Sequence, residues 1–246
     1  MTAPHIAHAI WQTLRISVPT IWQSLRGTLT PEACDARLAQ WSGSIVGRAQ
    51  IELHVEGLEH ATPGESFVLM SNHQSLYDVP VIYQALQRRI RMVAKKELFM
   101  VPVWGRAMHR AGFISLDRAN REKSRETLLA SATVLHTGTS IWIAPEGTRS
   151  RTGELGAFRK GGFHLALQSG CRILPITVIG TRKVLPAKGA TITNGCRVRV
   201  VVHEPVDPKP YGEARRDDLI QVVRDAIEMP LPPPSLPPPA PLVEDD

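Results

Sequence analysis

VLMSNHQSLYDVP, Val68 to Pro80, decides how the rest of the chain is read. It opens with a short apolar run, long enough for a strand buried on both faces and too short for a core helix. The run stops at Ser71-Asn72-His73, and YDVPVIYQALQRR, from Tyr77, reads as a helix. Strand, polar loop and helix in succession form the repeating unit of an α/β fold. Working outward, the unit recurs. QIELHVEG reads as a strand before it; IRMVAK, GFISL, SIWIAP, RILPITVIG and RVRVVVHEP read as strands after it. VPVWGRAMHRA, REKSRETLLASATVLHTG, KGGFHLALQSG and DDLIQVVRDAI read as helices among and after them. In the second of these, Leu128, Leu129, Ala132 and Leu135 share a face and Gly138 is the expected stop. In the last, Leu219, Val222, Val223, Ala226 and Ile227 share one. The expected class is α/β, a largely parallel central sheet covered by helices on both sides.

Ahead of this body, residues 1–48 read as an N-terminal helical pair; 49–228 form the α/β domain and 229–246 a proline-rich, disordered tail. In the first helix Ile6, Ile10, Leu14, Ile21 and Leu25 fall at helical spacing, with Trp11 and Trp22 beside them. Pro19 is expected to kink it. Such a stripe suits either a helix lying in a membrane interface, a depth that Trp favours, or one packed on its own domain. Thr30 and Pro31 supply the cap and first turn of the second helix.

The chain has 246 residues, 43% of them hydrophobic, and a formal net charge of +6. That allows a substantial core and calls for an anionic partner. The basic residues are scattered, aromatic content is 5% and no nucleic-acid-binding module is visible, so nucleic acid is the poorest candidate. Cys34, Cys171 and Cys196 have neither zinc-ligand spacing nor a disulfide framework and are expected to be buried, reduced thiols of a cytoplasmic protein. No run of eighteen apolar residues occurs and no Lys or Arg precedes Arg15, so neither a transmembrane helix nor a signal peptide is expected.

Four polar clusters end predicted strands, where ligand sites of α/β folds gather. In the first, Asp78 could accept the Nδ1 proton of His73, fixing the imidazole and leaving Nε2 to take a proton from a hydroxyl. The plain alternative is a loop histidine and a helix-capping aspartate. No protein nucleophile accompanies the pair: there is no G-x-S-x-G elbow, the cysteines lack an activating context, and nothing marks Ser75. An alcohol substrate could fill that role by attacking an activated acyl group directly. GFISLDR ends in Asp117-Arg118 and IAPEGTRS carries Glu146-Gly147-Thr148-Arg149. Arginine's donor fork, glycine's open backbone and the Thr148 hydroxyl suit phosphate oxygens. VAKK adds Lys95 and FRKGG adds Lys160. Each is a surface charge unless the sheet edge brings them together.

Taken in order, NHQSLYD, GFISLDR, PEGTRS and ILPITV resemble the four motif blocks of the glycerolipid acyltransferase family, which includes the 1-acyl-glycerol-3-phosphate acyltransferases; VAKKEL and FRKGG fall at similar places. The resemblance covers Gln50 to Pro205. It implies His73 as general base and Asp78 as its orienting carboxylate. Glu146, Gly147, Thr148 and Arg149, with Arg118, Lys95 and Lys160, would hold the acceptor's phosphate, and Pro175 would be structural. It further implies acyl-CoA or acyl-carrier protein as donor, a lysophospholipid acceptor, no metal or organic cofactor, and work at the cytoplasmic face of an anionic membrane as a peripheral protein. Ser115-Leu116 before Asp117-Arg118 departs mildly from the second block. The expected reaction is acyl transfer to 1-acyl-glycerol-3-phosphate, giving phosphatidic acid. The rivals are another acceptor (glycerol-3-phosphate, another lysophospholipid or a lyso-ornithine lipid), a lipid or thioester hydrolase, and a non-catalytic lipid binder.

Overall fold

Runs of β-branched and apolar residues too short to build a helix face become strands, and helices with one apolar stripe cover them. The computed structural model describes residues 2–231. The chain runs α1 (Thr2–Leu25), α2 (Pro31–Arg48), β1 (Glu52–Glu56), β2 (Val68–Ser71), α3 (Asp78–Leu86), β3 (Ile90–Lys95), α4 (Lys96–Phe99), α5 (Trp104–Arg110) and β4 (Ile114–Leu116). It continues with α6 (Arg121–Ala130), α7 (Ala132–Leu135), β5 (Ser140–Ile143), α8 (Gly161–Ser169), β6 (Ile173–Ile179), α9 (Thr181–Val184), β7 (Arg197–Val202) and α10 (Arg216–Glu228).

The strands make one sheet of seven in the order β1-β7-β6-β2-β5-β3-β4. Every pair is parallel except β6 with β7. This is the largely parallel α/β class expected. Alternation along β2 splits its residues between two cores. Phe67 and Leu69 enter the cluster on the α2–α3 side, while Val68 and Met70 face α8 and α10 with Phe163, Leu165, Leu219 and Val223. All eight are fully buried, as a strand covered on both faces requires. Parallel pairing also aligns the C-terminal ends of β2, β5, β3 and β4 along one edge. The polar clusters leave the sheet there.

The helical pair forms, with Thr30 capping α2 by accepting the Ala33 N–H at 3.2 Å. The first helix is inside out for a water-soluble protein. His5, Gln12, Ser17 and Thr20 are buried, while Ile6, Ile10, Trp11, Leu14, Val18, Trp22 and Leu25 are exposed. Polar contacts hold it to the body: Arg37 donates to Thr20 Oγ1 at 3.0 Å and the Trp41 indole donates to Thr13 Oγ1 at 3.2 Å. The helix continues through Pro19 without interruption.

Other expectations need correcting. The helix expected over 121–138 divides at Ser131, whose hydroxyl bonds back to the Leu128 carbonyl at 2.6 Å and ends the regular ladder. Val222 is exposed rather than part of the apolar face of α10. The short helices α4 and α9 and a 3-10 turn at Leu58–His60 carry no apolar period long enough to be read in advance. All three cysteines are free, but only Cys34 is buried. Residues 232–246, most of the expected tail, lie outside the described residues. Among the described residues no helix is long and apolar enough to cross a membrane, and no cluster of His, Cys, Asp and Glu could hold a metal ion.

Candidate active site

The loop after β2 is tied down residue by residue. The Asn72 side chain acts as a stand-in peptide against β6, donating to the Val178 carbonyl at 2.8 Å and accepting the Val178 N–H at 2.7 Å. His73 follows, with its ring edge-on to Trp142 at 5.9 Å between centroids. Its backbone is held from both sides by the turn after β5. The His73 N–H donates to Glu146 Oε1 at 2.9 Å, and the Ser150 N–H donates to the His73 carbonyl at 2.7 Å.

Asp78 opens α3 with its carboxylate wholly buried. Burying an ion is costly unless its lone pairs are met, and here they are. Oδ2 accepts His73 Nδ1 at 2.7 Å, the Gln74 N–H at 2.7 Å and the Ser75 N–H at 2.9 Å. Oδ1 accepts the Thr181 hydroxyl at 2.5 Å. An oxygen already accepting two backbone N–H groups has no room for a proton of its own. The shared proton therefore sits on Nδ1, and Nε2 presents a lone pair. Ser75 is buried, donating to the Leu185 carbonyl at 2.7 Å and accepting the Tyr77 N–H at 3.1 Å. Its hydroxyl is committed to loop structure.

His73 lines a cavity of about 1240 Å³. Of the residues singled out in the sequence, Lys95, Arg118, Gly147, Thr148, Arg149 and Lys160 line it too. Asp78 stands behind His73. Glu146 also stands apart: it is buried, does not line the cavity, and spends Oε1 on the His73 N–H and Oε2 on the Gly156 N–H, each at 2.9 Å. Burial pushes its carboxyl above the usual range, resisted by those two backbone bonds. Lys160 reaches the rim but pairs with Asp217 at 2.9 Å. Lys96 neutralises Asp117 at 2.8 Å, while Lys95 beside it makes no such pair among the described residues. Much of the remaining wall is apolar and runs between α1, α2, α5 and the sheet, with Ile16, Leu38, Leu98, Met108 and Phe113 among its side chains; Arg37, Arg125 and Arg159 also reach it.

Three residues of the site are not marked by the sequence. Asn72 stands beside His73 with no role that its spacing assigns, and Arg159, next to Lys160, lines the cavity. Thr181 follows β6, and a hydroxyl at the C-terminal end of a strand is a signal that could have found it.

Comparison with known proteins bears on this arrangement. The chloroplastic 1-acyl-sn-glycerol-3-phosphate acyltransferase of Arabidopsis thaliana is 35% identical over 156 residues, 63% of this chain and 44% of the relative. The human 1-acyl-sn-glycerol-3-phosphate acyltransferase alpha is 33% identical over 159 residues, 64% of this chain and 56% of the relative. The chain thus spans about half the length of the curated relatives it matches. The crystal structure of the 1-acyl-sn-glycerophosphate acyltransferase PlsC from Thermotoga maritima shares the fold, with a TM-score of 0.73 over 93% of this chain and 95% of that one, at 24% identity. The acyltransferase family model matches residues 52–179, more than half of the chain and inclusive of His73, Asp78, Arg118 and the 146–149 turn, and on that match the chain belongs to the acyltransferase family.

Proposed function

We propose that the protein moves a fatty acyl group from acyl-CoA or acyl-carrier protein to the free hydroxyl of 1-acyl-glycerol-3-phosphate, yielding phosphatidic acid. The observation that carries this reading is the make-up of one cavity. A histidine with its Nε2 lone pair available shares it with the cations Lys95, Arg118 and Arg149 and with a long apolar wall. Those are the three needs of a phosphorylated amphiphile: charge for its headgroup, a base for its hydroxyl and apolar cover for acyl chains. The names of the relatives point to the same acceptor.

In this reading Nε2 of His73 takes the hydroxyl proton as the oxygen attacks the thioester carbonyl carbon. Asp78 stabilises the imidazolium that forms. Collapse of the tetrahedral intermediate breaks the carbon–sulfur bond, and the departing thiolate takes the proton back from His73. The nucleophile arrives with the acceptor, which accounts for Ser75 being locked into the loop. The reaction asks for no metal or organic cofactor besides the acyl carrier. Glu146 serves it indirectly, as a brace under the His73 backbone.

The exposed apolar face of α1 supports work at a membrane surface as a peripheral protein. Two Trp and several aliphatic side chains point away from the body, while polar groups do the anchoring inside. The same helix roofs part of the cavity, so a lipid leaving the bilayer would meet the site directly.

An acceptor panel with acyl-CoA and acyl-carrier protein on lipid vesicles, read by mass spectrometry, tests the proposal. Lysophosphatidic acid should speed thiol release and give a diacyl product. Thioester cleavage that ignores the acceptor and yields no diacyl lipid would make the protein a hydrolase. Transfer to glycerol-3-phosphate or a lyso-ornithine lipid instead would keep the chemistry and replace the acceptor.

A further inference from the structure

Between β5 and α8 the chain runs from Ala144 to Lys160 with no helix or strand of its own. A stretch of that length inside a compact domain must find donors for its carbonyls elsewhere. For Leu155 and Gly156 the donor is one side chain of the last helix. Arg224 Nη2 donates to the Leu155 carbonyl at 2.9 Å and Nη1 to the Gly156 carbonyl at 2.6 Å. Among the described residues nothing else donates to either. The guanidinium also lies over the Phe158 ring at 5.5 Å and pairs with Glu228 at 3.5 Å. Its helix is a firm base: Leu219, Val223 and Ile227 are wholly buried, and the Thr177 hydroxyl of β6 donates to the Ile227 carbonyl at 2.8 Å.

One peptide group is gripped at both ends. The Leu155 carbonyl meets Arg224, and the N–H of the same peptide, that of Gly156, donates to Glu146 Oε2 at 2.9 Å. Glu146 Oε1 accepts the His73 N–H, also at 2.9 Å. A continuous line of hydrogen bonds therefore runs from a cation on α10, through one peptide and one carboxylate, to the backbone of the base. Each link polarises the next, because a cation on the carbonyl oxygen makes the N–H a better donor to an anion. The approach is close: a Cβ on Gly156 would lie 3.0 Å from Glu146 Oε2, so the backbone is pressed against the carboxylate. Glu146 is buried, and its hold on His73 depends on where the loop delivers that N–H.

We propose that Arg224 is a positioning residue for acyl transfer: by gripping the Leu155–Gly156 peptide it fixes Glu146, and through Glu146 the place of the His73 ring. The inference rests on the acyl-transfer reading and adds the last helix of the domain to the machinery that aims the base. The guanidinium does not line the cavity, so its loss acts on the placement of the base and not on contacts with substrate. A misplacement of about 1 Å is enough to cost about 100-fold in rate. Phe158, by contrast, does line the cavity. An Arg224 that mattered only through that ring would show itself in substrate binding.

The test uses the full chain and a double-mutant cycle of Arg224→Gln with Glu146→Gln. Arg215→Gln is the control; Arg215 stands at the start of α10 and pairs with Asp218 at 2.9 Å. Arg224→Gln should lower kcat for transfer to lysophosphatidic acid about 10-fold, with the KM of acceptor and donor within about 2-fold of the parent. Arg224→Lys keeps the charge, loses the two-pronged fork and should recover part of the loss. In Glu146→Gln the amide nitrogen cannot accept, so one of the two N–H groups is released; adding Arg224→Gln should then lower kcat no further. An unchanged kcat in Arg224→Gln overturns the proposal. So do losses that multiply across the cycle, a KM rise with kcat kept (which moves the effect to Phe158), and an equal effect of Arg215→Gln. Amide exchange reads the same line of bonds without turnover. The His73 and Gly156 N–H groups should exchange about 10-fold faster in Arg224→Gln while the amides of β2 and β5 keep their rates. If the unmodified protein acylates no lysophospholipid, the functional reading fails and exchange decides alone: faster exchange at both amides sustains the brace, and unchanged exchange refutes it. Should Arg224→Gln not fold, Arg224→Lys carries the same cycle and the same exchange measurement.

Discussion

His73 owes its chemistry to neighbours that act on its backbone and on Asp78. Removing the imidazole takes away the base and one hydrogen bond to Asp78 Oδ2, which keeps the Gln74 and Ser75 N–H donors, and the ring it removes is partly exposed. His73→Ala should cut acyl transfer by about 10²–10⁴-fold while leaving the melting temperature and lipid binding near those of the parent; full activity would discard the mechanism. Thr181 is a positioning residue in the same array. Without its hydroxyl, Oδ1 of Asp78 loses the one hydrogen bond it makes among the described residues, and a buried carboxylate left short costs about 1–3 kcal/mol. Thr181→Val should therefore lower stability by that amount. It should also lower kcat with little change in KM, because Asp78 then holds the His73 ring less firmly; Thr181→Ser should restore both. A melting shift with kcat unchanged would reduce Thr181 to a structural role. Glu146 gives a pH effect of opposite sense to an ordinary ion-paired carboxylate. Its folded pKa is raised above 4.5, so the native state binds the proton more tightly than the unfolded chain does. Its contribution is fully present below that ordinary value and is lost as pH rises through the raised one. Glu146→Gln should flatten the fall in stability across that window, measured by denaturant titration at stepped pH.

At the scale of elements, α1 is the unusual one. An amphipathic helix normally buries its apolar stripe, whereas this one buries polar groups against α2 and presents Ile10 and Val18, each 56% exposed, outward. Charged substitutions on that face should be tolerated by the fold and resented by a membrane. Ile10→Asp with Val18→Asp should leave the melting temperature within about 2 °C and sharply reduce sedimentation with anionic vesicles. Unchanged sedimentation would return α1 to a purely structural part. The stripe itself was plain in the sequence, but its direction was not. Spacing marks which residues share a face and is silent on which face the body takes. That was settled by partners 14 to 28 residues away: Arg37 on Gln23 and Thr20, and Trp41 on Thr13.

For the whole molecule, a net charge of +6 sets a long-range term that local geometry does not carry. Association with anionic vesicles should weaken steadily with salt as the screening length falls from about 10 Å at 0.1 M to about 3 Å at 1 M. The apolar share of binding should persist, so residual sedimentation at high salt measures the contribution of α1. The α/β class, the strands, the capped α2 and the His73–Asp78 pair were all legible in the sequence, because each depends on residue type and spacing over a short window. The sheet order was not. Placing β7 between β6 and β1, antiparallel to the first and parallel to the second, depends on pairings far apart in the chain, such as Leu53 beside Val198. Nor were the Thr181 bond to Asp78, the turning of Glu146 away from the cavity, or the loss of Lys160 to Asp217, which join residues 103, 73 and 57 positions apart. The sequence by itself determined which chemical groups this protein has and which strand ends they leave from. Only the tertiary structure decided which cations stay unpaired around the cavity among the described residues and which carboxylate braces the His73 backbone, because pairing and burial are properties of distance in space, and spacing along the chain does not encode them.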